Sequence, residues 1–127
     1  EGTVSINSNG VNLSNSGTFT HNKGTVKSTC ASQTSLLGFN GTSAFYNFYF
    51  AGTASGQDQI CGGNTDFFGH LTINSHTSAD LQMQGHTFNL YGGVTITLGS
   101  WDIGSVDETG TVNVYGAVRN VGGGIKS

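Results

Sequence analysis

The chain has 127 residues, 21 of them Gly and none Pro, with 9% charged side chains and a formal net charge of −3. That length suits a single domain, residues 1–127, with a sizeable buried core. Four cations (Lys23, Lys27, Arg119 and Lys126) cannot neutralise a row of phosphates, which argues against nucleic acid as a partner. No apolar run approaches the roughly 18 residues of a bilayer span, so membrane insertion is not expected.

Taken in order, the chain reads as short strands from its third residue. Thr3-Val4-Ser5-Ile6 alternates, Asn9-Gly10 is a turn signal, and Val11-Asn12-Leu13 alternates again. Two further strand-like pieces flank Asn22-Lys23-Gly24. Phe45 to Phe50 is a dense aromatic run; simple alternation would put Tyr46, Phe48 and Phe50 on one face and Phe45, Asn47 and Tyr49 on the other. Phe68 to Ile73, Thr87 to Tyr91, Val94 to Leu98, Ser100 to Ile103, Gly110 to Tyr115 and Ala117 to Val121 continue the pattern up to Gly122-Gly123-Gly124. No window carries apolar residues at helical spacing. With 8 Phe, 4 Tyr and many β-branched residues, the composition is that of ordered β structure and not of a disordered chain.

The aromatic-led runs begin at Phe45, Phe68 and Phe88, intervals of 23 and then 20 residues. A period near twenty suits one coil of a β-solenoid. The expectation is therefore an all-β, single-domain β-solenoid, or parallel β-helix, of about five to six coils. An antiparallel β-sandwich or jelly roll is the alternative, since many short strands with Gly turns also suit it. In the solenoid, Val, Ile, Leu and Phe point inward in columns, Thr, Ser and Asn stack outside, and Gly takes the corners. The absence of Pro leaves every backbone N–H free to donate to the next coil.

Gly17-Thr18-Phe19-Thr20-His21-Asn22-Lys23-Gly24-Thr25-Val26, a Ser32-Gln33-Thr34 bend and Phe45-Tyr46-Asn47 together resemble the repeats of long bacterial and archaeal surface proteins. In those repeats a "GTFTHNxGTV" segment leads through a bend to "FYNLTI". A looser second copy puts Gln59-Ile60 at the bend and Phe68 to Ile73 in the last segment. The resemblance spans about residues 17 to 100 and implies a secreted parallel β-helix, with no activity attached. Cys30, Cys61 and the run Phe48-Tyr49-Phe50 depart from the repeat.

Cys30 and Cys61 each lie beside one of these bends, and stacked bends on neighbouring coils would let them form a disulfide. Such a bridge suits the extracellular or cell-surface location that the low charge and Thr/Asn/Gly richness suggest. Glu1 in the first position, where Met would start a new chain, is the expectation for a processed or excised polypeptide. His70, His76 and His86 lie near one another in sequence but without metal-ligand spacing. The acids Asp58, Asp66, Asp80 and Asp102 are scattered, and only Asp107-Glu108 are adjacent. No catalytic residue, metal or cofactor is expected. Tyr46 and Tyr49 form a candidate exposed aromatic platform, and Asn12 and Asn40 head N-glycan acceptor triplets.

Strand-like sequence runs from Thr3 to Val121 without a polar cap or helix. Both ends are therefore expected to be covered, most simply by further copies stacked head to tail or exchanging an end strand. The candidate assembly residues are Thr3, Val4 and Ile6 at one end and Val112, Val114, Val118 and Val121 at the other. The function this implies is a non-enzymatic subunit of an extracellular filament or surface fibre. A cell-surface adhesin or carbohydrate-binding module, with glycans as partners, is the alternative.

Overall fold

A computed structural model of the chain describes residues 2–6, 13–15, 20–29, 34–39, 43–53, 55, 58–105 and 108–126. Those residues form eighteen short strands and no helix. The chain begins with β1 (Thr3–Ile6) and β2 (Leu13–Asn15), followed by a full turn of β3 (Thr25–Ser28), β4 (Thr34–Phe39) and β5 (Ser43–Phe45). The next turns are β6 (Asn47–Phe50), β7 (Asp58–Cys61) and β8 (Thr65–Phe67), then β9 (Leu71–Asn74), β10 (Asp80–Gln82) and β11 (Thr87–Leu90). The fourth full turn runs through β12 (Val94–Leu98) and β13 (Ser100–Asp102). It then makes a small hairpin of β14 (Gly104–Ser105) and β15 (Glu108–Thr109) before β16 (Thr111–Val114). A final β17 (Val118–Asn120) and β18 (Gly124–Lys126) follow.

Apart from that antiparallel hairpin, every strand pairs in parallel with its equivalent one turn away. Three sheets result: β1-β3-β6-β9-β12-β17, β2-β4-β7-β10-β13-β18, and β5-β8-β11-β16. The fold is a three-sided parallel β-solenoid. Among the described residues it has four complete turns, fewer than the five to six coils expected, because the first and last turns contribute described strands to only two of the three sheets.

Register makes the columns explicit. Val4, Val26, Phe48, Leu71, Val94 and Val118 align through the first sheet at intervals of 22 to 24 residues. Phe45, Phe67, Leu90 and Val114 align through the third. The aromatic starts used to count the period are therefore not equivalent positions: Phe45 pairs with Phe67, and Phe88 pairs with Thr65. The simple alternation drawn through Phe45 to Phe50 also fails, for a local reason. The chain turns a corner at Tyr46, which resets the phase, so Phe45, Phe48 and Phe50 are all buried. Of the segments read as bends, Thr34 opens β4 and Gln59-Ile60 lie within β7, both strands of the second sheet, whereas Ser32 and Gln33 lie outside the described residues.

The interior holds rings contributed by all three sheets, packed among aliphatic side chains. Phe45, Phe48, Phe67, Phe88 and Trp101 form a continuous chain of ring contacts with centroids 5.1 to 6.1 Å apart. Leu71, Ile73, Leu81, Met83, Leu90, Val94 and Ile96 fill the rest and are fully buried. Ring pairs of this kind contribute about 0.5–1.5 kcal/mol each beyond their buried area.

Two substitutions test this packing. Phe67→Ala, which empties the centre of the ring chain, is expected to cost about 3–5 kcal/mol in chemical denaturation. Gly92→Ala should also destabilise, because the added Cβ would meet the Gly69 carbonyl of the turn before, whereas Gly2→Ala meets nothing and should be near neutral.

Candidate functional site

The features that set this solenoid apart lie at its two ends and along one corner. At the end of the last turn, inward-facing columns run out of neighbours. Val118 is 56% exposed although its column mates Leu71 and Val94 are fully buried. Ile125, in register with the buried Trp101, is 49% exposed, and Val114, in register with Leu90, is also exposed. Val112 packs partly against the core, and Val121 is exposed just past β17. At the opposite end Val4 is 61% exposed, with Thr3 beside it. Ile6 completes β1 in the backbone, but its side chain lies outside the described residues. Ile125 is missing from the sequence-derived set, although its spacing from Trp101 matches the repeat.

A cavity of about 280 Å³ opens at the first turn, lined by Gly2, Thr3, Val4, Thr20, His21 and Val26 among others. It lies at the corner leading into the first sheet. Asn22 and Lys23 take positive φ there (44° and 58°), and Gly24 N–H donates to the His21 carbonyl at 2.8 Å. Asn tolerates this left-handed geometry better than most residues, in keeping with the Asn22-Lys23-Gly24 turn signal.

The same corner, followed from turn to turn, carries a ladder of exposed rings. Phe68 stacks on Tyr91 at 5.2 Å with planes 11° apart, and Tyr91 on Tyr115 at 5.0 Å and 8°. In-register parallel turns place equivalent side chains one strand spacing apart, about 4.8 Å, which is close to ring-stacking distance. The glycines that follow each ring make the close approach sterically feasible: a Cβ on Gly116 would collide with Gly93, as one on Gly92 would with Gly69. The sequence reading missed this ladder; Phe-Gly, Tyr-Gly and Tyr-Gly at intervals of 23 and 24 are its signature.

A polar ladder runs up the outside of the third sheet. Asn113 Nδ2 donates to Asn89 Oδ1 at 2.8 Å, and Asn89 Nδ2 donates to Asp66 Oδ1 at 2.7 Å. Asp66 accepts only, so it fixes the direction of the whole row. On the first sheet, His70 joins three turns. Its backbone N–H donates to Asn47 Oδ1 at 2.9 Å, and its ring lies 3.2 Å from the Gly92 carbonyl and 2.8 Å from Thr95 Oγ1. The carbonyl can only accept, so Nδ1 donates to it, and Nε2 is left to hydrogen-bond with the Thr95 hydroxyl.

The other sequence-derived positions separate. Tyr46 sits in the corner with its ring 5.8 Å from that of His21. Tyr49 stands on the flat first sheet, where Lys27 Nζ lies 5.3 Å from the ring centroid and Asn74 Nδ2 donates to the hydroxyl at 2.8 Å. Both tyrosines are half-buried, and part of the surface a sugar would use is engaged by neighbours. His70, His76 and His86 fall at three different corners of one turn. Among the described residues no three of His, Cys, Asp or Glu come together. Asp80 is paired with Lys126 at 2.7 Å. Cys61 ends β7, whereas Cys30, Asn12 and Asn40 lie outside the described residues.

Set beside family models, curated proteins and solved structures, the chain matches none of them, and its function has to be argued from geometry.

Asn89→Ala removes both rungs of the polar ladder at once. The expected loss is about 1–3 kcal/mol in a denaturant titration, more than for Asn113→Ala, which removes only the terminal rung.

Proposed function

We propose that this chain is a non-enzymatic structural subunit that stacks end to end, last turn on first turn, into an extracellular filament or surface fibre. One observation carries the reading: Val118 and Val4, the exposed members at opposite ends of a single inward column, occupy equivalent positions on opposite edges of the same sheet. Setting β17 of one copy beside β1 of the next would continue the parallel ladder and cover both valines. It would also pair backbone groups on two edge strands that present open hydrogen-bonding sides.

The strand holding Thr3, Val4 and Ile6 would then lie beside β17, with Val4 over Val118, while Val112, Val114 and Ile125 end the columns of the other two sheets and Val121 lies just past β17. The low charge removes most of the repulsion that keeps edge strands apart. Secretion, the repeat type suggested by "GTFTHNxGTV…FYNLTI" and a Cys30–Cys61 bridge belong to this proposal as its cellular setting. The adhesin alternative draws support from the exposed rings of Phe68, Tyr91 and Tyr115. Their faces, however, are turned on one another, leaving mainly edges to solvent, whereas sugar stacking needs a free face.

The reading is tested by sedimentation and negative-stain microscopy over a concentration series. The wild-type chain should form polymers, and Val118→Asp should abolish them while shifting the subunit's own stability by no more than about 0.5 kcal/mol, as for exposed sites generally. A wild-type chain that remains monomeric at every concentration would falsify it.

A further inference from the structure

The corner ladder ends in two phenols whose chemistry a purely structural role leaves unused. Phe68, Tyr91 and Tyr115 lie one above another along the axis. Tyr115 N–H donates to the Leu90 carbonyl one turn back at 2.9 Å, as Tyr91 N–H does to the Phe67 carbonyl at 2.9 Å. The two tyrosines therefore leave equivalent backbone positions in the same direction, with ring centroids 5.0 Å apart and planes 8° from parallel. Stacked in this way, the carbons ortho to one hydroxyl lie beside their counterparts in the other ring. Both rings are open to a soluble reagent, Tyr91 being 44% and Tyr115 66% exposed.

The other two tyrosines are placed differently. Tyr46 follows Phe45, which is in register with Phe67, so Phe68 stands between Tyr46 and Tyr91 at the corner. Phenylalanine has no hydroxyl hydrogen to give up, and the row of phenols is interrupted there. Tyr49 stands on the flat first sheet, where its hydroxyl accepts from Asn74 Nδ2 and Lys27 Nζ lies 5.3 Å from its ring centroid.

We infer that Tyr91 and Tyr115 form a modification site: a one-electron oxidation, driven by hydrogen peroxide through a peroxidase, joins them as dityrosine. Each phenol gives up one electron and one proton to become a phenoxyl radical. The peroxide takes both electrons and both protons and leaves as two waters. The radicals combine through a new Cε–Cε bond, and the hydrogen on each joined carbon moves to its phenolic oxygen, which restores both aromatic rings. The chain has then lost two hydrogens. A radical held at 5.0 Å outcompetes one on a second copy, because groups placed in this way react at effective molarities far above micromolar. The bond closes the fourth turn, β12 to β16, into a covalent ring and staples the end of the solenoid to its body.

The test oxidises the 127-residue chain with a peroxidase and hydrogen peroxide at micromolar concentration. Dityrosine fluorescence should appear in chains that still run as monomers on a denaturing gel and weigh two hydrogens less by mass spectrometry. After unfolding, a glutamyl endopeptidase cuts at Glu108, between the two tyrosines; the untreated chain falls into two pieces and the cross-linked chain should stay joined. Tyr91→Phe and Tyr115→Phe should each abolish this product, whereas Tyr46→Phe and Tyr49→Phe should keep it. Oxidation in concentrated denaturant should lower the monomeric yield by about tenfold or more. The stapled chain should melt about 5–15 °C above the untreated one. A monomeric product that survives Tyr115→Phe, dityrosine found only between copies, or no dityrosine at all would overturn the site. A cross-link that leaves the melting temperature unchanged would overturn the staple. None of these readouts requires polymers, so the site and the end-to-end assembly stand or fall separately.

Discussion

The parallel hydrogen-bonded contact between successive turns is the interaction on which the structure depends. A strand of three or four residues has no stability by itself, and each here gains it from the equivalent strands above and below. The connections show how completely the backbone is committed to the axial direction. Thr25 N–H donates to the Gly2 carbonyl, Ala51 to Ser28, Tyr91 to Phe67, Tyr115 to Leu90 and Val121 to Ile96, so even corner residues bond one turn back. Proline anywhere in these positions would delete a rung. Interior turns have two neighbours and terminal turns one, so stability is graded along the axis. The burial follows that grading: one column passes from fully buried at Leu71 and Val94 to more than half exposed at Val118.

What the axial ladder does not fix by itself is register, because a slip along the strands would preserve hydrogen bonding. Side chains that match only in one alignment supply it. Inside, Phe45, Phe48, Phe67, Phe88 and Trp101 interlock as a chain of tilted and stacked rings that a two-residue slip would break. Outside, the Asp66-Asn89-Asn113 row and the His70 contacts to Asn47, Gly92 and Thr95 bind three turns at once. The corners add a steric condition. Gly69, Gly92 and Gly116 sit where backbone passes so close to backbone that no Cβ fits. The glycine content is therefore partly a packing requirement and only partly one of φ. Gly85, Gly93 and Gly99 answer the second need, with φ of 75°, 97° and 85°.

The all-β character, the solenoid and the column principle were legible in the sequence because they rest on composition and on a repeat near twenty residues. The detailed alignment was not. The aromatic at position 68 looked like the partner of Phe45, yet it is Phe67 that takes the inward place, and Phe68 turns outward at the corner. Adjacent aromatics are ambiguous in exactly this way when a bend between strands shifts the phase by one residue. The second sheet was hard to read for another reason. Its strands include polar residues at inter-sheet edges, such as Asp58-Gln59 and Asp80 with Gln82, which by propensity resemble loops and are held extended by neighbours on both sides. At the ends, Val4, Val114 and Val118 could be picked out as strand residues near the termini. Ile125 sits beyond three glycines, where local sequence suggests a tail and only pairing with Trp101 makes a strand.

Polarity decides what kind of assembly such ends permit. All three sheets are parallel, so the face at the first turn and the face at the last are different surfaces. Two copies joined by a two-fold axis would put like faces together. That operation reverses the order of the sides around the solenoid axis: if the first sheet meets itself, the second must meet the third. The inward columns then fail to continue, since the second sheet presents Leu81, Trp101 and Ile125 where the third presents Leu90 and Val114. Edge strands brought together in this way would also run antiparallel, with a hydrogen-bond pattern different from that of every other rung between turns. A head-to-tail contact suffers neither mismatch and leaves each new copy with the same free face as the last. In the proposed assembly, growth is thus open-ended because the fold has a direction, and a closed dimer would have to give up the column continuity that makes burial at the ends favourable.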